Sequence, residues 1–256
     1  VRNRVLRLLS PRDYRALSNN LERVSFPHGQ PLWRAGQPID DVYFVESGLV
    51  SVTVEIDRPG PVEIAVIGRE GLVGVPACIG RETSTFHAQS QVAVDAYRIT
   101  LDRFRSVVDE SRPLKEVLSC YLEALFAQIA QLSACNCAHP IEQRCARRLL
   151  MMLDHTARDE FPMTQEKLAE MLGVRRATIN EVANAFQSEG LIRYARGNVR
   201  ITNRRRLERT SCACYRIITD RYDRFLRVAP RSTRAHKFKV NRDVRSPRVS
   251  RRSRAR

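Results

Sequence analysis

Between Phe161 and Thr202 the apolar residues change period twice within one short stretch, FPMTQEKLAEMLGVRRATINEVANAFQSEGLIRYARGNVRIT. Thr164 is an N-cap residue type, and Leu168, Ala169 and Leu172 follow at helical spacing. Gly173 ends that helix where a tight turn is needed. Arg175 opens a second helix, whose buried side is marked by Ile179, Val182 and Phe186. Ala169 is small enough for the two helices to approach closely. Leu191–Tyr194 and Asn198–Thr202 then alternate at strand spacing around Arg196-Gly197-Asn198, a hairpin signal. Two helices joined by a short Gly turn and followed at once by a hairpin predict a helix-turn-helix with a wing. The bland alternative is a purely structural helical pair.

The second helix leaves Arg175, Arg176, Ala177, Thr178, Asn180 and Glu181 near its exposed N-terminal end. Arginine can hold guanine O6 and N7 together, and asparagine can do the same for adenine N6 and N7. Thr178 and the helix N-terminus suit backbone phosphates. Arg193, Arg196 and Arg200 would decorate the wing, and Thr164 is a further DNA-contact candidate. Charge agrees with that placement. The chain carries a net +16 over 256 residues, which calls for a polyanion. Residues 1–112 balance 14 basic against 14 acidic side chains, whereas 138–229 hold 18 against 11. Residues 230–256 hold 11 basic side chains against Asp243 alone, with no apolar period. That tail reads as disordered, able to add sequence-independent affinity by counterion release or to be an incidental extension.

Upstream the pattern differs. Ser10 and Pro11 suit the start of a short helix over 11–20. Residues 24–99 are rich in Val and Ile and punctuated by turns such as Ser47-Gly48 and Pro59-Gly60-Pro61, which predicts an antiparallel sandwich or roll. LDRFRSVVDE reads as a short helix, and a long one follows Pro113. In it Leu114, Tyr121 and Gln128 recur every seven residues, as do Leu118, Leu125 and Leu132. The pattern predicts a helix that packs on its own β domain and pairs with a second copy through Leu114, Leu118, Tyr121, Leu125 and Leu132. An internal core helix is the alternative. Another helix begins at Pro140.

Taken in order, these parts resemble the Crp/Fnr-type bacterial transcription regulators over roughly residues 10–228. The likeness rests on WRAGQPIDDVYFVESGLVSV in the β region, the long helix, and TQEKLAEMLGVRRATINEVANAF followed by EGLI and a wing. It implies an α+β chain: an N-terminal antiparallel β-roll like a cyclic-nucleotide-binding domain (10–110), a dimerisation helix (111–137), a winged helix-turn-helix (138–229) and the basic tail (230–256). It also implies a homodimer on double-stranded DNA of two-fold symmetry, with RNA polymerase as a further partner. Base-reading slots fall on Arg176, Ala177, Asn180 and Glu181. Cyclic-AMP-type members carry Glu at the Ala177 slot and Arg at the Glu181 slot, so a different half-site is expected.

The effector is left open. Nucleotide-binding members hold the ribose with a Glu and the cyclic phosphate with an Arg. In GLVGVPACIGRETSTFHAQ those places fall on Gly74 and Ser84, and only Thr85 remains in kind. Without the guanidinium a charge-assisted contact is lost, which argues against cyclic AMP. Arg81 lies close by in sequence, and Gly74, Arg81, Ser84, Thr85 and Tyr121 are the candidate effector residues. A constitutive DNA binder with a degenerate sensor is the competing reading.

The odd count of seven cysteines argues against a disulfide framework. No Cys precedes Cys78, unlike the N-terminal sets of iron–sulfur members. Cys135, Cys137, Cys212 and Cys214 could offer four thiolates for metal or redox sensing, but residues two apart on a helix point away from one another, and small buried thiols are the simpler reading. Five scattered histidines, His87 among them, do not suggest haem. No metal or cofactor is assigned. No nucleophile–base pair or phosphate-cradling loop suggests an enzyme. The absence of an unbroken apolar run of about 18 residues, and of a signal-like start, gives the expectation of a cytoplasmic protein without membrane contact. RRRLERTSCACYRIITDRYDRFLRV reads as one last helix packed on the DNA-binding part, with Arg204, Arg205 and Arg206 able to reach phosphates.

Overall fold

The computed structural model describes residues 1–57, 60–156 and 159–228, with side chains through Arg224. The tail 230–256 lies outside the described residues. The chain opens with α1 (Arg4–Leu8) and α2 (Pro11–Ser18). Ser10 caps α2 by accepting from the Asp13 N–H at 3.1 Å, with Pro11 at the first helical position.

Eight strands follow: β1 (Glu22–Phe26), β2 (Pro31–Trp33), β3 (Asp41–Ser47), β4 (Val50–Val54), β5 (Val62–Ile67), β6 (Leu72–Val73), β7 (His87–Ser90) and β8 (Val94–Thr100). They form two four-stranded antiparallel sheets, ordered β1-β8-β3-β6 and β2-β7-β4-β5. Val42, Phe44, Val50, Val66, Leu72, Val94 and Ala96 fill the space between them, so the Val/Ile-rich segments close into the expected β-roll. A short 3-10 turn, Val75–Ile79, bridges β6 and β7.

Four helices come next: α3 (Leu101–Glu110), α4 (Arg112–Ala138), α5 (Ile141–His155) and, after β9 (Glu160–Pro162), α6 (Gln165–Leu172). α7 (Arg176–Ser188), β10 (Ile192–Ala195), β11 (Asn198–Ile201), α8 (Arg204–Thr210) and α9 (Cys214–Val228) complete the chain.

Three expectations change here. Both seven-residue ladders of α4 face the protomer's own core: Leu114, Leu118, Tyr121, Leu125, Gln128 and Leu132 are all buried within the single chain. They are therefore not the face a second copy would meet. A heptad reveals that one face must be covered, but not by what. Gln128 shows the covering directly, because it accepts from the Val66 N–H on β5 at 2.9 Å and donates to the Tyr222 hydroxyl on α9 at 3.2 Å. The opposite face of α4 leaves Phe126 73% exposed. Second, α4 is long and apolar enough to cross a membrane by length and composition, although it contains no unbroken apolar run. Its buried face nevertheless rests on protein. Third, the last helix is two: Ser211 is extended, and α9 turns to run along α4 rather than against the reading helices alone.

The helix-turn-helix part and the β-roll meet at α5. Arg148 and Glu63 of β5 form an ion pair at 2.6 Å with both side chains nearly inaccessible, and Ser51 donates to the same carboxylate at 2.6 Å. Arg148 Nη2 also donates to that carboxylate at 2.8 Å, and two charges removed from water persist only when paired in this way.

Candidate nucleic-acid interface

The helix pair is built as its caps require. Thr164 accepts from the Lys167 N–H at 3.1 Å, and Gly173 ends α6 in the left-handed region (φ 69°), a conformation that favours glycine. Ile179, Val182, Ala183 and Phe186 bury the back of α7 against Leu168, Ala169 and Leu172. That packing turns the opposite edge outward. Arg175, Arg176, Ala177, Asn180 and Glu181 are exposed, and Thr178 is half-buried. Neither Arg175 nor Arg176 has an ion-pair partner among the described residues. Asn180 donates to Gln165 of α6 at 3.2 Å and accepts from Asn184 at 2.8 Å. Gln165 and Asn184 were missed by sequence reasoning, although Asn184 lies one turn beyond Asn180 on the same face.

The wing is three-stranded. β10 and β11 pair around a two-residue turn in which Arg196 (φ 49°) and Gly197 (φ 78°) are both left-handed, the geometry that matches strand twist in a tight hairpin. β9, unforeseen, pairs with β11, and the Met163 N–H donates to the Gly197 carbonyl at 2.9 Å, tying the wing to the start of α6. Arg193 and Arg196 are exposed. Arg200 is not free: its guanidinium binds Glu160 on β9, with Nε at 2.8 Å. Arg204 stays exposed but is likewise engaged, by Asp154 at 2.8 Å and Glu208 at 2.8 Å, so it is not a free cation for a phosphate. Arg206 donates to the Glu189 carbonyl at 2.8 Å, while Arg205 is exposed.

The candidate effector residues are not brought into one pocket. Tyr121 is fully buried and donates to the Leu72 carbonyl at 3.0 Å, and burial pushes its hydroxyl pKa well above the usual range. A Cβ on Gly71 would lie 2.4 Å from its ring, so the glycine admits the tyrosine. Ser84 is buried and closes a turn on itself, donating to the Phe86 carbonyl at 3.0 Å and accepting from the Phe86 N–H at 3.1 Å. Arg81 and Thr85 point to solvent. Gly74 has φ 112°, and a Cβ there would press on Val42 at 3.0 Å, so a glutamate could not stand at this position without strain. A neighbouring cavity of about 290 Å³ is lined instead by Cys78, Phe104, Arg105, Lys115, Leu118 and Leu122, among others.

The four thiols divide. Cys137 is exposed, whereas Cys135, Cys212 and Cys214 are buried together with His139 beside them. The Cys135 and Cys212 sulfurs stand 3.4 Å apart. Their shared contact lowers the pKa of the Cys212 thiol and, together with burial, raises that of Cys135.

The described residues thus form a β-roll joined through a long helix to a winged helix-turn-helix. Two family models match the chain: the cyclic nucleotide-binding domain over residues 23–111 and the Crp-like helix-turn-helix domain over 143–210. The CRP-like cAMP-activated global transcriptional regulator of Mycobacterium tuberculosis is 25% identical over 212 residues, covering 78% of this chain and 93% of that protein. The transcriptional regulatory protein btr of Bordetella pertussis is 27% identical over 191 residues, covering 70% of this chain and 77% of that protein. The fold matches that of a CRP-family transcriptional regulator from Thermus thermophilus, with a TM-score of 0.62 at 18% identity, covering 73% of this chain and 96% of the other. The chain belongs to the Crp/Fnr-type transcription regulators and carries a helix-turn-helix DNA-binding domain.

Proposed function

We propose that this regulator is a homodimer that reads a two-fold symmetric DNA site with the N-terminal edge of α7. The observation that carries this is the exposed row Arg175, Arg176, Ala177, Asn180 and Glu181 on a helix whose back is locked into the core. Arg176 and Asn180 read base edges, and Thr178 and Arg175 hold phosphates. Thr164, Arg193 and Arg196 flank the groove from the α6 start and the wing, with Arg200 the weakest contributor because Glu160 already holds it. Half-sites lie about 34 Å apart, one helical turn of DNA.

The working units are a sensor over 10–110, a dimer helix over 111–137 and a reader over 138–229. The second copy meets the outer face of α4, where Phe126 is flanked by exposed Glu123, Ala130 and Ser133. An exposed aromatic on an otherwise small-residue face suits a helix–helix contact. The protein acts in the cytoplasm, with RNA polymerase as its transcriptional partner, and without catalysis.

The effector is not cyclic AMP. The Mycobacterium relative is cAMP-activated, yet here Gly74 and Ser84 replace the ribose and phosphate contacts. A degenerate sensor with constitutive DNA binding is the second reading, favoured by the self-satisfied turn at Ser84. Gel shifts on random fragments, with and without cyclic AMP, test the proposal. A retarded, competitor-resistant complex that cyclic AMP leaves unchanged is expected. Binding that appears only with cyclic AMP contradicts the effector reading, and no specific complex contradicts the whole.

A further inference from the structure

We propose that Cys135, His139, Cys212 and Cys214 form a Cys3His site for a zinc ion that staples the end of α4 to the α8–α9 junction. Their ligand atoms all lie within 4.8 Å of one another. In tetrahedral zinc thiolates a Zn–S length of about 2.3 Å places neighbouring sulfurs about 3.8 Å apart. Here Cys135 and Cys212 sulfurs are 3.4 Å apart, and Cys214 Sγ is 3.6 Å from His139 Nδ1. Three cysteines and a histidine are the donor set of structural zinc, and softer than any calcium or magnesium site.

The backbone explains how the set converges. Cys135 lies in the last turn of α4 and His139 caps its end, where the His139 N–H donates to the Cys135 carbonyl at 3.1 Å, while Cys137 is turned outward. Cys212 and Cys214 are two apart but span the break between α8 and α9, where no helical rotation separates them. The four-thiol set Cys135, Cys137, Cys212 and Cys214 is thereby replaced by three of those thiols and a histidine.

Two surrounding observations point to a bound cation with thiolates. Gln131 Nε2 lies 3.0 Å from Cys214 Sγ, placed to donate to a thiolate in the outer shell. Arg147 on α5 is 3% exposed, has no carboxylate within ion-pair distance among the described residues, and leaves its Nε without a partner. It acts electrostatically on both Cys135 and Cys212. A zinc ion with three thiolates and a neutral imidazole carries one negative charge, which this buried guanidinium would balance. On binding, the three thiols lose their protons to solvent and no electron is transferred. The staple would tie the end of α4, just before the turn into α5, to the α8–α9 junction.

The test uses the full chain, expressed with added zinc and purified without oxygen. About one zinc per chain is expected, as for a single four-ligand site. Cobalt(II) added to the metal-free protein should give the intense visible bands of a tetrahedral site together with a thiolate charge-transfer band. Cys212→Ser and His139→Ala should weaken or abolish both, and Cys137→Ser should leave them unchanged. Folded, metal-free protein whose cobalt spectrum is that of the aqueous ion overturns the proposal, and this arm needs no variant to fold. Loss of the cobalt bands in Cys137→Ser, or iron and sulfide in place of zinc, overturns it equally.

Discussion

Helix α7 and the candidate effector positions treat their side chains in opposite ways. At the start of α7, Arg175, Arg176 and Glu181 stand in solvent without ion-pair partners among the described residues, and a buried row of Ile179, Val182 and Phe186 holds them in place. In the β-roll and on α4, Ser84 is closed onto Phe86, Tyr121 is closed onto Leu72, and Gly74 leaves no room for a longer side chain. A surface built to meet a ligand keeps its donors unpaired on a rigid support. The exposed edge of α7 meets that condition, and Gly74, Ser84 and Tyr121 do not.

The contact between the regions offers the sharpest way to break this comparison. Glu63→Ala would leave Arg148 charged and buried without its partner, at a cost of about 3–5 kcal/mol in unfolding free energy by chemical denaturation. Replacing both residues with apolar ones of similar volume should recover most of that loss. If Glu63→Ala is silent, the two regions are not joined as described.

Arg176→Ala should weaken binding to the preferred DNA by about 1–3 kcal/mol and relax preference at one base pair per half-site. A uniform loss across sequences would make Arg176 a phosphate contact. Thr164→Ala removes the cap of α6 and should cost about 1 kcal/mol of stability, read by thermal or denaturant unfolding, with the base preference intact. Arg200→Ala should change affinity least among the wing arginines, because Glu160 already neutralises it. In titration calorimetry at micromolar concentrations, cyclic AMP should give no binding heat.

How far these regions could be read in advance follows from how local their determinants are. The helix-turn-helix was legible because Thr164, Gly173 and the spacing of Leu168 to Phe186 act within a few residues of chain. Strand β9 was not, since Glu160–Pro162 is only three residues long, contains a proline, and exists because β11 pairs with it. The ladders of α4 announced a covered face, but only Gln128 bonded to both β5 and α9 shows what covers it. Arg148 and Glu63 are 85 residues apart, and no pattern along the chain links them. Three of the clustered thiols are legible as Cys-x-Cys pairs, but His139 in place of Cys137 is not, and neither is the break at Ser211 that decides whether Cys212 and Cys214 diverge or converge.

The central claim is that α7 reads sequence in two symmetric copies. Selection of bound fragments from random DNA, run in parallel for the unsubstituted protein and Arg176→Ala, tests it most directly. The account predicts an inverted repeat with half-site centres about 10 base pairs apart, and loss of preference at one symmetry-related pair of positions in the variant. Fragments without symmetry, or identical preferences in both proteins, would contradict it.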